Sequence, residues 1–429
     1  PCLPLEHEIS AEIIADVLAA RLGRIDMPAD LRARINAKAE EIRARRKRLG
    51  AYKPPTTRLP YYCPGCPHNT STRVPDGSRA LAGIGFHYMA QWMNRHTETF
   101  TQMGGEGVPW VGISPFTSEN HVFANLGDGT YMHSGIMALR QSIAAGANIT
   151  YKILFNDAVA MTGGQAVDGQ MTVPVLIRQI AAEGVKKIYL LTREPERYSE
   201  AALPAVVIEH RDAIDRVQRE VREIPGCTAI VYDQTCATEL RRKRARGLAP
   251  QAPQRAYINP AVCEGCGDCS DQSNCIAIDP LETEFGRKRA INQSACNSDL
   301  SCLKGFCPSF VTVSGGTVKK QQGAKLPEVA IPAPPSSALP TAAAYNIAIT
   351  GVGGGGVLTL GHIIGMAAHI DGVGAQVLDI TGLAQKGGAV VSHVRLAQDA
   401  KSIASQRIPA GGTDLLLATD LVVAASPEA

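Results

Sequence analysis

Gly127-Asp128-Gly129 is followed, after 26 residues, by Asn156-Asp157-Ala158, and these two short words are where the chain is best equipped for chemistry. A carboxylate, a neutral amide oxygen and a backbone carbonyl form a set of hard donors suited to Mg²⁺. Flanking glycines let the backbone come close to a phosphate. Asp128 offers the carboxylate, Asn156 the amide oxygen and Ala158 the carbonyl, so the spacing predicts a diphosphate held through Mg²⁺. Gly-Asp-Gly by itself also reads as a plain tight turn; the Asn at the end of the next strand tips the balance towards a ligand.

The elements that must position these groups can be read from periodicity. Residues 121–126 read as a short buried strand, 134–145 as an amphipathic helix stopped by Gly146, and 149–155 as a second strand carrying Asn156 at its end. Both polar groups then leave the same edge of a parallel sheet, where open α/β folds bind ligands. Strands expected at 187–192, 205–209 and 228–232 alternate with helices at 173–183 and 212–222, the pattern of a doubly wound α/β sheet. Helices at 9–22 and 29–50 come first, the second ending in a basic run at 43–48 that reads as a solvated face rather than a nucleic-acid patch.

The chain of 429 residues has a net charge of +3 and 19% charged residues, a balance that points to neither nucleic acid nor a membrane surface. It contains no apolar run of about 18 residues, the length a spanning helix needs. Pro1-Cys2-Leu3 carries neither an initiator Met nor a signal-peptide pattern, and is expected to belong to a longer chain.

Seven of the 12 cysteines fall between 263 and 307, as Cys263, Cys266, Cys269, Cys275, Cys296, Cys302 and Cys307-Pro308. Such clustering suits metal better than a disulfide framework and implies a reducing cytoplasm. Three thiolates within seven residues can hold three corners of an iron–sulfur cube while a remote Cys-Pro closes the fourth; zinc is the alternative. The crossed pattern of two-cluster ferredoxins gives Cys263, Cys266, Cys269 and Cys307 to a first [4Fe-4S] cluster and Cys275, Cys296 and Cys302 to a second, one thiolate short. A separate Cys63-Pro-Gly-Cys66-Pro67-His68 is a redox dithiol, half a zinc site or half an iron–sulfur site. Residues 316–344 read as a Pro/Ala-rich linker. Gly351-Val-Gly353-Gly-Gly-Gly356, between an expected strand and helix, with Asp379 further on, fits a dinucleotide fingerprint.

Met103-Gly-Gly-Glu-Gly107, Gly127-Asp-Gly-Thr130 and Asn156-Asp-Ala-Val-Ala-Met-Thr-Gly-Gly-Gln165 resemble the indolepyruvate ferredoxin oxidoreductases, thiamine diphosphate enzymes of the 2-oxoacid:ferredoxin oxidoreductase family. The likeness runs over residues 61–429. It implies Asp128, Asn156 and Ala158 as Mg²⁺ ligands, and Cys66, Pro67, His68, Gly127, Asp128, Gly129, Thr130, Asn156, Ala158, Val159, Thr162, Gly163, Gly164 and Gln165 around thiamine diphosphate. It further implies a proximal cluster on Cys63, Cys66 and Cys236. The family's other ligand follows a Gly-Ile-Gly, and here Gly83-Ile-Gly85 is followed by Phe86, which cannot bind iron.

Five segments are implied: a helical segment at 1–60, a thiamine diphosphate-binding domain at 61–250, a ferredoxin-like iron–sulfur module at 251–315, the linker, and a Rossmann-like gamma-type domain at 345–429. By the resemblance this last domain builds an interface and the CoA-accepting region rather than a nucleotide site. The implied reaction converts a 2-oxoacid, such as indolepyruvate or another aryl pyruvate, and CoA to acyl-CoA and CO₂ while ferredoxin is reduced. A pyrimidine-binding domain, needed for its glutamate, is expected from another domain or subunit in a homo- or hetero-oligomer. A non-redox thiamine lyase or synthase leaves the cysteine module idle, and a non-catalytic electron-transfer subunit is the remaining alternative.

Overall fold

The computed structural model describes residues 3, 9–158, 169, 171–203, 205–316, 344–382 and 387–426. The chain divides into two compact units, one of residues 61–329 and one of residues 1–60 with 330–429.

The first unit is built on seven parallel strands: β1 (Ala80–Ala82), β2 (Thr97–Phe100), β3 (Val122–Gly127), β4 (Ile149–Phe155), β5 (Ile188–Thr192), β6 (Val206–His210) and β7 (Cys227–Asp233), in the order β2-β1-β3-β4-β7-β5-β6. Strands covered on both faces must be apolar almost throughout, and the alternation along them sorts side chains between two cores. Val122, Ala124 and Leu126 of β3 join Ile149, Tyr151 and Ile153 of β4 on one face, against Leu176, Ile177 and Ile180 of the helix Val173–Ala182. Phe123, Leu154 and Tyr232 lie on the other, against Ile214, Val217 and Val221 of the helix Ile214–Val221. The helical residues recur at three- and four-residue intervals, so each helix presents a single apolar stripe. The side chain of Lys152, on β4, is fully buried beneath the second face, donating to the carbonyls of Ser71 (2.8 Å) and Arg73 (3.0 Å) and to Gln218 Oε1 (3.2 Å).

Residues 254–314 pack onto this sheet within the same unit. They form two antiparallel pairs, β8 (Gln254–Ile258) with β11 (Phe310–Ser314) and β9 (Ile278–Thr283) with β10 (Gly286–Ile291). Their main apolar cluster has just six buried members, Ala256, Ile258, Cys263, Cys269, Ile278 and Ile291. So small a core stabilises little by itself and needs cross-links or neighbours.

In the second unit, Ser10 caps the helix Ala11–Leu22, its Oγ accepting from the Ile13 N–H at 3.3 Å, and Asp16 pairs with Arg43 of the helix Ala29–Ala51 at 2.7 Å. A four-stranded sheet follows, of β12 (Tyr345–Val352), β13 (Gly374–Thr381), β14 (Ala389–Ala397) and β15 (Leu415–Ala418), in the order β13-β14-β12-β15. Only β12 and β15 run parallel; β14 is antiparallel to both its neighbours, so the sheet is mixed. The glycine-rich turn leads from β12 into the helix Val357–Ile370, and Asp379 is engaged by His362 Nε2 of that helix at 3.0 Å.

Candidate functional site

The order β3-β4-β7 at the centre of the large sheet lines up three strand ends. Asp128 follows β3, Asn156 follows β4, and Gln234 to Cys236 follow β7. Asp128 Oδ2 accepts from the backbone N–H groups of Asn156 and Asp157, each at 2.9 Å, and Oδ1 from that of Gly129 at 2.9 Å. Burial pushes the Asp128 carboxyl up to about 6 in spite of those three donors. A carboxylate that is costly to ionise in a dry site is one that a cation relieves. Beside it, Asn156 Oδ1 is buried with no hydrogen-bond partner, and Ala158 is buried too. An orphaned buried acceptor costs about 1–3 kcal/mol. The donor set on the first turn of this edge fits Mg²⁺: one carboxylate, one unsatisfied amide oxygen and a nearby main chain.

The rest of the expected cofactor cradle gathers here in part. Thr130 Oγ1 donates to the Ile84 carbonyl at 3.3 Å, which ties the Gly127-Asp128-Gly129 turn to the Gly83-Ile84-Gly85 loop. Cys66, Pro67 and His68 are buried, and the His68 ring lies 6.0 Å, edge to face, from that of His87. His87 in turn lies beside Gly127, its Cε1 3.6 Å from where a methyl on that glycine would sit. Val159, Thr162, Gly163, Gly164 and Gln165 lie outside the described residues.

Three polar side chains at this site were not singled out from sequence. A methyl on Gly83 would lie 2.5 Å from Glu106 Cγ, 2.8 Å from the Asn125 carbonyl and 2.9 Å from His87 Nε2, so these groups meet around that glycine. Glu106 Oε1, His87 Nε2 and both side-chain atoms of Asn125 are buried without hydrogen-bond partners. Burial holds His87 down to about 4, hence neutral, and pushes the Glu106 carboxyl up. An Asn inside the apolar word Val122-Phe-Ala-Asn-Leu126 was the available signal, because a buried polar residue implies a partner.

The cysteines fall into groups. Cys63 Sγ lies 3.1 Å from Thr238 Oγ1, two residues beyond Cys236, and the Cys236 N–H donates to the Asn156 carbonyl at 3.1 Å. Cys236 thus adjoins the Asp128 site, Cys63 lies against the helix that Cys236 caps, and Phe86 is buried next to His87 in sequence. Burial pushes the Cys302 thiol up to about 12, with the sulfurs of Cys275 and Cys296 adding to the effect. Burial likewise raises Cys269, to which Cys307 contributes. Cys263 is buried and Cys266 exposed. The eleven described cysteines form no disulfide. Among the described residues no three His, Cys, Asp or Glu side chains converge tightly enough to hold a single metal ion. A cubane cluster spreads its thiolates over separate irons, a wider frame than four ligands on one zinc, and the all-thiolate donor set suits it.

The Cys63–Cys66 loop rests on the cysteine module. Asn297 Nδ2 donates to the Pro64 carbonyl at 2.7 Å, and a methyl on Gly65 would lie 2.9 Å from Asp299 Cβ. Arg211 at the end of β6 pairs with Asp299 between Cys296 and Cys302: Nη1 to Oδ1 is 2.6 Å, with both side chains buried.

Among known families, the C-terminal TPP binding domain of thiamine pyrophosphate enzymes matches residues 79–219, and the pyruvate ferredoxin/flavodoxin oxidoreductase family matches residues 346–426. The chain is 28% identical over 281 residues to indolepyruvate oxidoreductase subunit IorA of Archaeoglobus fulgidus, covering 63% of this chain and 42% of that protein. With the IorA subunit of Thermococcus kodakarensis identity is 24% over 332 residues, 65% of this chain and 48% of the relative. With subunit IorB of the same organism it is 38% over 80 residues, 19% of this chain and 38% of the relative. The chain therefore spans less than half the length of these curated relatives. No described helix is long and apolar enough to cross a membrane. With a segment that matches the TPP binding domain and one that matches the pyruvate ferredoxin/flavodoxin oxidoreductases on one polypeptide, alongside these relatives, the chain is similar to members of the 2-oxoacid:ferredoxin oxidoreductase family.

Proposed function

We propose that this chain is the thiamine diphosphate and iron–sulfur portion of an enzyme that oxidatively decarboxylates a 2-oxoacid, an aryl pyruvate such as indolepyruvate, to acyl-CoA and passes the two electrons singly to ferredoxin. The observation that carries the reading is the buried, unpartnered Asn156 Oδ1 beside a buried Asp128 carboxylate at adjacent ends of β3 and β4. Asp128, Asn156 and Ala158 would hold Mg²⁺ and through it the diphosphate. Bound there, thiamine diphosphate supplies the electron sink that decarboxylation of a 2-oxoacid requires.

The chain's own part is to hold and insulate. Gly127, Gly129 and Thr130 would let the turn approach the phosphates, and the apolar cores behind them exclude water from the strand ends. Neutral His87 and the raised Glu106 carboxyl offer proton-holding groups at Gly83. Cys263, Cys266, Cys269 and Cys307 would hold one [4Fe-4S] cluster and Cys275, Cys296 and Cys302 three corners of a second. Cys63, Cys66 and Cys236 are the candidate ligands of a proximal cluster, with Phe86 in the place of the remaining one. Residues 345–429 serve as the gamma-type domain, and the complementary pyrimidine-binding domain comes from another domain or subunit. The names IorA and IorB, given to separate subunits of the relatives, support an assembly of this kind.

The test is iron and labile-sulfide analysis of the chain purified without oxygen, followed by 2-oxoacid-dependent dye reduction once a pyrimidine-binding subunit is added. Iron and sulfide in equal amounts with activity only in the mixture are expected. A chain without labile sulfide, or one fully active alone, contradicts the reading.

A further inference from the structure

The helix Ala237–Ala245 joins the two candidate sites. Its N-cap is Cys236, whose N–H bonds the Asn156 carbonyl. Arg241 and Arg244, roughly 8 and 12 Å along the axis at 1.5 Å per residue, stand on one face at three-residue spacing. Arg241 Nη2 donates to the Ser294 carbonyl at 2.6 Å, and Arg244 Nη1 to the Asn297 carbonyl at 3.0 Å. The two guanidinium groups thus grip the main chain on either side of Cys296. Arg244 also donates from Nε to the Pro250 carbonyl at 3.1 Å. Among the described residues, neither Arg241 nor Arg244 has an ion-pair partner; their bonds go to neutral carbonyls, so their charge stays uncompensated.

More positive charge lies around them. Burial disfavours the charge of Arg244 most, Arg193 and Arg255 add to that, and the Cys296 sulfur favours it. The carboxylate between Cys296 and Cys302, Asp299, is already paired with Arg211. Cys269, in the other thiol group, has Arg289 as its nearby cation, and Asp268 and Asp271 lie on either side of it on the same short helix. The two thiol groups therefore sit in fields of different strength.

We propose that Arg244, assisted by Arg241, sets the reduction potential of the iron–sulfur cluster that Cys296 helps to hold, making that cluster easier to reduce. This rests on the iron–sulfur reading of residues 263–307. Reduction adds one negative charge to the cluster, and a fixed cation with N–H groups on its ligand loop stabilises the reduced form; net charge and local hydrogen bonds are among the factors that set such potentials. Arg244 is half-buried and Arg241 exposed, so solvent screens Arg241 more and Arg244 carries the larger share.

The experiment is a potentiometric titration followed by electron paramagnetic resonance on the full chain purified without oxygen. The relevant signal is the one lost in Cys302→Ser. Arg244→Gln should lower the reduction equilibrium constant of that cluster about tenfold, which is about 59 mV for a one-electron couple. Arg241→Gln should lower it less, Arg244→Lys should stay near wild type, and the other cluster should not move. Unchanged potentials in both glutamine variants, with iron and sulfide retained, overturn the proposal. Loss of the cluster from both glutamine variants also overturns it, because the arginines would then be clamps. Wild-type chain without iron or sulfide removes the cluster reading itself, a failure the metal analysis tells apart from the other two.

Discussion

Replacing Arg211 by Met should loosen the cysteine module from the parallel sheet, and the structure gives the size of the effect. Arg211 Nη1 lies 2.6 Å from Asp299 Oδ1 and 2.7 Å from Gln234 Oε1, and Nη2 donates to the Asp299 carbonyl at 2.9 Å. The two side chains are 4% and 6% exposed. Removing one partner of a buried ion pair costs about 3–5 kcal/mol, since a carboxylate is left in a dry site. Gln234 Nε2, 3.0 Å from Asp299 Oδ1, retains one donor, which places the expected cost near the lower end. With a urea slope of about 3 kcal/mol/M, that shifts the midpoint by about 1 M. Unfolding followed by pulse proteolysis reads it. The double variant Arg211→Met/Asp299→Leu should recover most of the loss, because an apolar pair needs no compensation. Burial opposes ionisation of Asp299, and Arg211 more than offsets it, so the folded carboxyl lies below its ordinary value. Its contribution is therefore complete above the unfolded value of about 3.9 and is lost as pH falls through the depressed folded one. Wild type should show that acid-side loss and the double variant should not. A midpoint shift under about 0.2 M in the single variant, or a double variant no better than the single, would refute the latch.

Burial holds the Lys152 amine down to about 7, against about 10.4 in an unfolded chain, so the unfolded state binds more protons between those values and stability should rise with pH there by up to about 5 kcal/mol; Lys152→Met should flatten that rise in denaturation midpoints taken at pH 7.5 and 9.5. Gly65 has φ +67 and a methyl there would lie 2.9 Å from Asp299 Cβ, so Gly65→Ala should destabilise the loop by about 1–3 kcal/mol and speed hydrogen exchange at residues 63–66. Phe86→Cys should raise the iron content by up to one cluster per chain if Cys63, Cys66 and Cys236 form a seat lacking a single ligand; unchanged iron argues against that seat.

Most of the large sheet was legible because buried parallel strands are written as apolar runs. The strand expected at 149–155 is β4 itself, and those expected at 121–126, 187–192, 205–209 and 228–232 differ from the structure by a residue at one or both ends or are displaced by one. β1 and β2 were not legible: three- and four-residue edge segments carry too little periodicity to register. The mixed sheet of the second unit was not foreseen either, since a dinucleotide-like glycine turn says nothing about the antiparallel return of β14. At the site, Asp128 and Asn156 were readable as short local words. Glu106, His87 and Asn125 meet only through the approach of three separate segments at Gly83, and Arg211 finds Asp299 across 88 residues; contacts of that range leave no local pattern.

The most direct test of the central claim is calorimetric titration of the full chain with thiamine diphosphate, with and without Mg²⁺, for wild type and for Asp128→Ala and Asn156→Ala. Binding that requires Mg²⁺ and weakens at least a hundredfold in Asp128→Ala, with the fold retained, is the predicted result. Binding that is indifferent to Mg²⁺, or equal in all three proteins, would contradict the assignment of the strand ends to the cofactor.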